Sequence, residues 1–283
     1  MVLLLVPADP LRPRRADEHF AAEAAAARDA GVTVAFIDHD ALADPGGGGP
    51  AVARVPDADA VAVYRGWMLR AARYAELADA LAARGVMLRT SAVQYRQAHE
   101  LPGWYPALVP VTPEAVWTDG DGEPGFRLAC ERLGAGPAVL RDYVKSMKHY
   151  WHEAAYIPDL ADTAAAWKVA ARFRELREDE FTGGFVLRRF EHFTSAEART
   201  WWVSGECRLI TPHPDTPGDP PPDIDLSPFT PLIRSLGLPF VTADLAWRAD
   251  GTWRVIELGD GQVSDRPATT EASAFLNAIL GGS

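Results

Sequence analysis

Cysteine is scarce in this sequence: Cys130 and Cys207 are the two present among 283 residues, and neither stands in a metal-ligand spacing. This excludes a disulfide framework and a cysteine-rich zinc site, and it makes a reducing cytosol the expected setting. Long apolar runs are lacking as well. The run at residues 2–6 is too short for the core of a signal peptide, and no run approaches the roughly 20 residues of a membrane span. We therefore expect a cytoplasmic protein that does not bind membranes.

Positive charge is also in deficit. The chain has 28 Lys and Arg residues against 39 Asp and Glu residues, a net charge of −11, and its one basic block is residues 12–15. A duplex nucleic acid requires a basic face, so we expect no nucleic-acid partner. Hydrophobic residues make up 48% and charged residues 24%, which is ordinary for a globular protein with one large domain or two to three small ones.

Residues 239–264 are the most informative stretch. Apolar residues alternate up to position 247, an Asp-Gly turn follows at 249–252, and an apolar run returns at 253–258, so the pattern predicts a β-hairpin. If the strands pair in register, Asp244 and Glu257 face the same side, and Asp260 follows in a glycine-flanked loop. Three carboxylates at the same end of a hairpin repel each other unless a cation lies between them, and the usual cation is Mg²⁺. The alternative is an ordinary hairpin with acidic ends.

The first 90 residues predict an α/β layer. Continuous apolar runs at 2–6, 32–37, 60–64 and 86–88 read as strands, and residues 16–30 and 74–84 read as helices. Arg65, beside Gly66, directly follows the third strand, where open α/β sheets bind their ligands. Its guanidinium could bind the carboxylate of a substrate or an acyl phosphate. The alternative is a solvated arginine next to a packed tryptophan.

A basic cluster follows the predicted strand at residues 137–141. Arg141 ends the strand, and Lys145, Ser146 and Lys148 come directly after it. Three cations and a hydroxyl suit a triphosphate, because charge-assisted hydrogen bonds are stronger than neutral ones. The segment has no glycine frame and is therefore not a Walker loop. A solvated basic loop is the alternative.

Two further strands are predicted at residues 185–193 and 200–203, with an amphipathic helix over 161–180 before them. Glu197 and Arg199 lie at the start of the second of these strands. From composition alone they could be a cross-strand ion pair of little energetic value. Residues 213–228 are rich in Pro and Asp and predict a long loop, either an insertion or a lid over an active site.

The order and spacing of these motifs resemble the ATP-grasp ligases. An Asp followed about a dozen residues later by Val-Ile-Glu-Leu-Gly-Asp-Gly-Gln-Val-Ser, residues 255–264, resembles the metal-binding end of that superfamily. There an Asp, a Glu and an Asn hold two Mg²⁺ ions against the phosphates of ATP. Asp260 stands where many members have Asn, and a carboxylate is an equally good oxygen ligand. The runs 64–67 and 259–262 resemble the clade named for its paired arginines and lysine.

The resemblance implies ATP and Mg²⁺ as cofactors and a role for each motif. Residues 185–193 would supply the hinge that reads adenine, and Arg199 would face the phosphates. The implied catalytic residues are Arg65 and Arg199, the implied metal ligands are Asp244, Glu257 and Asp260, and the implied nucleotide-binding residues are Arg141, Lys145, Ser146, Lys148, Arg188, Arg189, Phe190, Glu191 and Glu197.

The implied fold combines α/β and α+β parts. A Rossmann-like pre-ATP-grasp layer, residues 1–90, precedes an ATP-grasp module of two α+β lobes, residues 91–283, with nucleotide between the lobes. The implied activity is an ADP-forming ligase that joins a small-molecule or peptide carboxylate to an amine through an acyl phosphate. Two alternatives stay open, namely a phosphotransferase on the same fold and a nucleotide-binding regulator without turnover. The sequence names neither the substrates nor the oligomeric state.

Overall fold

The computed structural model describes residues 1–194, 197–218 and 223–281. Its α-helices are α1 (Ala21–Asp29), α2 (Gly48–Ala51), α3 (Ala71–Ala82), α4 (Ala92–His99), α5 (Leu101–Leu108), α6 (Glu123–Leu133), α7 (Thr163–Arg177), α8 (Thr230–Ser235) and α9 (Ala272–Leu280). Its strands are β1 (Val2–Asp9), β2 (Arg12–Ala16), β3 (Thr33–Ile37), β4 (Ala60–Tyr64), β5 (Val86–Leu88), β6 (Ala115–Trp117), β7 (Ala138–Asp142), β8 (Tyr156–Ile157), β9 (Phe185–Arg189), β10 (Ala198–Val203), β11 (Glu206–Pro212), β12 (Phe240–Trp247) and β13 (Trp253–Asp260).

The chain divides into two compact units, and both are discontinuous in sequence. The first unit comprises Met1–Ala98, Ala196–Leu245 and Glu257–Ser283, and the second comprises His99–Ser195 and Ala246–Ile256. The domain boundary near residue 90 stays a prediction. The hairpin β12–β13 contributes its base to the first unit and its tip to the second.

The first unit contains a largely parallel sheet. Strand β1 pairs in parallel with β3 on one side and β4 on the other, β5 continues the sheet beyond β4, and β2 folds back antiparallel on the end of β1. These strands are continuously apolar because both faces of a parallel sheet are covered. On one face of the sheet, Leu5 of β1 and Tyr64 of β4 share a core with Leu77 of α3, and the other face packs with α1 and α9.

A second sheet of the first unit carries several of the predicted site residues. Its strand order is β11-β10-β12-β13, and β10 pairs antiparallel with both of its neighbours. Trp201, Phe240 and Phe275 are fully buried and pack together, with ring centroids 6.2 Å and 4.8 Å apart for the two pairs that Trp201 makes. This aromatic core fixes the sheet on which Arg199 and Asp244 lie.

The second unit has a four-stranded sheet of order β6-β9-β7-β8, covered by α6 and α7. Phe126, Phe173 and Phe185 are fully buried between helices and sheet. An Asp162 side chain caps the start of α7 by accepting a hydrogen bond from the Ala165 amide.

The α/β and α+β organisation expected from the sequence is confirmed, and β4 and β5 begin and end where their apolar runs do. Strand β2 was not predicted, because its Arg-Pro-Arg-Arg composition lacks apolar alternation. The segment predicted as a loop at 213–228 begins after β11, and its residues 219–222 lie outside the described residues. The described part of the chain holds no helix that is both long and apolar enough to cross a bilayer.

Candidate active site

An ion pair on neighbouring strands organises the acidic end of the second sheet. Arg199 on β10 lies directly opposite Asp244 on β12. Its Nε donates to Asp244 Oδ1 at 2.8 Å and its Nη2 to Oδ2 at 2.9 Å, a bidentate arrangement. Asp244 is 4% exposed, and burial alone would raise its pKa. The charge and hydrogen bonds of Arg199 outweigh burial and lower the pKa of Asp244 to about 2, so this carboxylate is ionised at neutral pH.

A histidine that sequence reasoning did not single out joins this pair. His213 Nε2 lies 3.5 Å from Asp244 Oδ2, 3.2 Å from Arg199 Nη2 and 3.9 Å from Glu197 Oε2. Burial would lower the pKa of His213, but the bond and charge of Asp244 raise it. No sequence motif marks His213. Strand pairing places it here, because Arg199 on β10 lies opposite both Thr211 on β11 and Asp244 on β12, and His213 directly follows β11.

The predicted metal ligands are not brought together as one set. Among the described residues, a different group of three comes together: possible ligand atoms of Glu197, His213 and Asp244 all lie within 4.8 Å of one another. Glu257, on β13, is half-buried and its charge acts on Arg199. Asp260 ends β13 and is fully buried. A contact between Asp260 and a metal stays a prediction that this geometry does not support.

Asp260 instead caps the turn that follows the hairpin. Its Oδ1 accepts a hydrogen bond from the Gln262 amide at 2.7 Å, at the start of the 3-10 turn Gly261–Val263. Its Oδ2 is buried close to the Thr90 hydroxyl, and hydrogen bonding by Thr90 and Gln262 acts to lower the pKa of the carboxyl. Burial outweighs these hydrogen bonds and raises the pKa of Asp260 to about 6.

The raised pKa of Asp260 predicts a pH-dependent stability. The folded protein holds the proton more tightly than the unfolded chain, whose Asp pKa is about 3.9. The free energy of unfolding should therefore fall as the pH rises from about 4 through about 6, by about 1–3 kcal/mol. Asp260→Asn removes this contribution, so the variant should gain stability relative to the parent over that range. Urea unfolding in EDTA at pH 4, 5, 6 and 7 measures the difference, and parallel pH profiles for the two proteins would contradict the prediction.

Arg65 is buried among protein groups. It is 1% exposed, and its Nε and Nη2 bind the two carboxylate oxygens of Glu23 at 2.7 Å and 3.2 Å. Its Nη1 donates to the carbonyl oxygens of Gly261, Gln262 and Ser264 at 2.7–2.9 Å. This geometry favours a positioning role, in which Arg65 holds the turn after the hairpin, over the substrate contact predicted from the sequence.

The basic cluster after β7 separates into two kinds of residue. Arg141 is buried and donates to the carbonyl oxygens of Asp142 and Val144, whereas Lys145, Ser146 and Lys148 are exposed. The loop is held by Asp142, which is fully buried. Asp142 Oδ1 accepts from the amides of residues 144 and 145 at 2.7 Å and 2.6 Å, and its Oδ2 pairs with Arg177 at 3.0 Å. The Asp142 side chain thus fixes the segment that presents the lysines.

The predicted hinge uses its charged side chains for internal contacts. Arg188 is buried and donates to the Ile256 carbonyl at 2.6 Å and to Thr112 Oγ1 at 2.8 Å. Arg189 caps the end of α6 by donating to the carbonyl oxygens of residues 133–135. Glu191 is paired with Arg254 at 2.9 Å and with Arg248 at 3.2 Å. Nucleotide contacts by these three side chains stay predictions.

Phe190 belongs to an aromatic cluster. Its ring lies 5.3 Å from Tyr156 and 6.3 Å from Trp151, and the Trp151 and Tyr156 rings stack at 5.5 Å with an interplanar angle of 17°. Sequence analysis selected Phe190 and missed the other two, because a π-helical turn, Trp151–Ala155, brings Trp151 towards β8. A half-exposed stack of rings offers a flat apolar surface to a planar heterocycle.

Solved structures with the ATP-grasp fold resemble the whole chain. A RimK domain ATP-grasp protein from Sphaerobacter thermophilus is 18% identical over 99% of this chain and 100% of that one, with a TM-score of 0.60. The D-cycloserine synthetase DcsG is 18% identical over 99% and 98%, with a TM-score of 0.62. The ATP-grasp ligase PsnB, in complex with a minimal precursor, Mg and ADP, is 11% identical over 99% and 97%, with a TM-score of 0.57. No curated protein matches the chain.

A family match supports the same assignment from the sequence side. The model of an ATP-grasp domain family, the third family of the clade named for its paired arginines and lysine, matches residues 132–279, slightly more than half of the 283 residues. The matched region includes the basic loop, the predicted hinge, the Arg199–Asp244 pair and the hairpin. The chain therefore belongs to the ATP-grasp superfamily, in family 3 of this paired-arginine and lysine clade.

Proposed function

We propose that this protein is an ADP-forming ligase that joins a carboxylate to an amine with ATP and Mg²⁺. The observation that carries the proposal is the Arg199–Asp244 pair, an ionised buried carboxylate and a fixed guanidinium on adjacent strands of an ATP-grasp chain. The scarcity of cysteine supports a reducing, cytoplasmic setting. PsnB has been solved in complex with the precursor peptide PsnA2, and DcsG is a D-cycloserine synthetase, so both peptides and small molecules are candidate substrates.

The residues present fit a magnesium ion. Asp244 is ionised, Glu257 acts electrostatically on the same arginine, and Glu197 has a ligand atom within 4.8 Å of that of Asp244. Carboxylate oxygens are the ligands that Mg²⁺ prefers. We assign Asp244 and Glu257 as its protein ligands and give Asp260 the task of positioning the following turn. The ion would neutralise negative charge on the phosphates.

The remaining chemistry requires binding and charge neutralisation. A substrate carboxylate oxygen attacks the γ-phosphorus and ADP leaves, and the nitrogen of an amine then attacks the acyl carbon and phosphate leaves. Lys145 and Lys148 are proposed to bind phosphate oxygens, Arg199 to face the transferred phosphoryl group, and the rings of Trp151, Tyr156 and Phe190 to contact adenine. Ser146 supplies a hydroxyl donor next to the lysines.

Product analysis tests this function. The protein is incubated with ATP, Mg²⁺ and pooled amino acids, small acids and short peptides, and the products are identified by mass spectrometry. A ligase releases ADP and phosphate only when an acid and an amine are both present, and the product mass equals their sum minus water. A stable phosphorylated product would instead identify a phosphotransferase, and the absence of ADP release with every pool would favour a nucleotide-binding regulator.

The two exposed lysines of the basic loop should bind nucleotide phosphates. Lys145→Ala and Lys148→Ala each remove one charge-assisted contact, which should weaken ATP binding by about 1.5–3 kcal/mol, or roughly tenfold or more. Isothermal titration calorimetry with ATP and Mg²⁺ measures the affinity. Lys168→Ala, on helix α7, is the matched control and should leave it unchanged. Unaltered affinity in both loop variants would make the loop an ordinary solvated surface.

A further inference from the structure

A cavity in the first unit has no role in the function proposed above. It has a volume of about 310 Å³, and its lining residues include Asp9, Asp38, His39, Asp40, Arg54 and Trp67. At about 30 Å³ for each water molecule, this space equals roughly ten waters, enough for a small organic molecule. The cavity lies at the carboxyl ends of the parallel strands β1 and β3, the edge at which open α/β sheets bind ligands.

The charges around the cavity favour a cation. Asp38 is half-buried and Asp40 is exposed, and they flank His39 on the loop after β3. Asp9 already forms an ion pair with Arg12 at 2.8 Å. Of the described residues that line the cavity, Arg54 carries a positive charge, and its side chain is exposed. In the described part of the chain, neither Asp38 nor Asp40 is paired with an arginine. Their carboxylates are therefore available to attract a positively charged group.

Hydrogen bonding fixes the tautomer of His39. Its Nδ1 lies 2.9 Å from the Tyr64 hydroxyl, and that hydroxyl donates to the Trp67 carbonyl oxygen at 3.1 Å. Because the tyrosine proton is used in this way, the hydroxyl accepts from His39, and Nδ1 carries the hydrogen. Burial lowers the pKa of His39 and outweighs the opposing charges of Asp40 and Asp38. In the neutral ring Nε2 has a free lone pair, and no described residue donates a hydrogen bond to it.

Trp67 supplies an aromatic wall. Its indole is 37% exposed, and its ring is fixed by edge contacts with His39 and Phe20 at centroid distances of 5.0 Å and 5.1 Å. A fixed, partly exposed indole attracts cations through its π face. The wall thus adds a second preference for positive charge, independent of the carboxylates.

Contacts inside the first unit connect this cavity to the Arg199–Asp244 pair. The His19 ring lies 6.3 Å from the ring of Trp67, and its Nε2 bonds Asp265 Oδ1 at 2.9 Å. The Asp265 carbonyl oxygen in turn accepts from Arg199 Nη1 at 3.2 Å. These contacts link Trp67, through His19 and Asp265, to Arg199, the residue proposed to face the transferred phosphoryl group.

We propose that this cavity binds the primary ammonium group of the amine substrate, with Asp38 and Asp40 as counter-ions, Trp67 as the aromatic wall and His39 Nε2 as proton acceptor. The ammonium gives one proton to Nε2, and the freed lone pair forms the C–N bond as the bond from the acyl carbon to the phosphate oxygen breaks. The second proton leaves with phosphate. The role of the amine in catalysis rests on the proposed function, whereas the binding of the ammonium does not.

Paired probes test the binding directly. The ¹⁵N-labelled protein is titrated at pH 7.5 with L-alanine and L-lactate, and with ethanolamine and ethylene glycol, because each pair differs in an ammonium against a hydroxyl. The Trp67 indole signal, assigned by its loss in Trp67→Phe, should shift with the amines alone. Asp38→Asn and Asp40→Asn should each raise the amine dissociation constant about tenfold. Asp59→Asn, an exposed carboxylate of the same layer, is the control and should leave the constant unchanged.

Two results would overturn the inference: equal shifts with the hydroxyl probes, or no shift with either amine. Asp38→Asn keeps an acceptor for the Ala41 amide, which Asp38 Oδ1 binds at 3.3 Å, so the variant is expected to fold. In turnover assays it should raise the KM for the amine and leave the KM for ATP unchanged. Amine binding without ADP release would refute the proposed function and keep the site, whereas ADP release without amine binding would refute the site alone.

Discussion

Glu257→Gln is expected to lower ATP turnover by a factor of about 10²–10³ or more, the range for the loss of one preorganised electrostatic contact. The change keeps the size of the side chain and removes one negative charge beside Arg199. At the proposed magnesium site, glutamine would replace a charged carboxylate ligand with a neutral amide oxygen, so the developing phosphate charge would be less well compensated. Asp244→Asn should have an effect of the same order, because it also breaks the bidentate pair. A Mg²⁺ titration of ADP release for the parent and both variants measures the loss.

Glu206→Gln is the matched control for these variants. Glu206 lies on β11 of the same sheet, is exposed and pairs with Arg208 at 2.9 Å, so it should keep the parental rate. Circular dichroism of Glu257→Gln, Asp244→Asn and Glu206→Gln should match that of the parent, which would show that each variant keeps the fold. Parental turnover by Glu257→Gln at ordinary Mg²⁺ concentrations would remove Glu257 from the metal site.

Arg65→Met should lower the free energy of unfolding by about 3–5 kcal/mol, because the buried Glu23 loses its bidentate partner and keeps the more distant Arg266, whose Nε lies 3.4 Å from Glu23 Oε1. Glu23 is 2% exposed, and the guanidinium also lies over the Phe275 ring at 4.8 Å. The methionine has a similar volume and fills the same space. Urea unfolding monitored by tryptophan fluorescence gives the difference.

Two further variants identify the cause of that loss. Arg65→Met combined with Glu23→Met removes both charges and should recover part of the stability. Arg208→Met, at a surface pair, should cost no more than about 1 kcal/mol. A stable Arg65→Met protein with a raised KM for the carboxylate would instead support the substrate contact predicted from the sequence.

Much of the fold could be predicted because the spacing of apolar residues along the chain shows which side chains are buried. The apolar runs of β4 and β5 mark their ends, and the turn at 249–252 with alternating flanks marks the hairpin. Residues 94–102 predict a helix-to-loop segment and not the two helices α4 and α5, because residues 92–108 contain a glycine, two prolines and several aromatics without a regular polar face. Their stability comes from tertiary packing, which a local pattern does not report.

The chemical types of the site residues could be predicted, but their partners could not. A sequence shows that Arg65, Arg188 and Asp260 can bind anions or cations, yet it does not show that each is buried with protein partners. His213 has no motif of its own and reaches Asp244 through the pairing of three strands, β11, β10 and β12. Pairing between distant segments decides which charged groups stay available to ligands, and that information is absent from spacing along the chain.

The bonds between Arg65 and residues 261–264 also constrain the order of folding. During synthesis the first 98 residues are made early, but the three carbonyl oxygens that accept from Arg65 Nη1 are made about 200 residues later. Until then the Glu23–Arg65 pair lacks those acceptors, and α1 alone covers a face of β1 that α1 and α9 share in the folded protein. Closing a loop of that length carries a large entropic cost before any contact compensates it. The N-terminal sheet is thus made early and completes its core late. A fragment ending near residue 98 would expose the part of that face that α9 covers, and this apolar surface would favour aggregation.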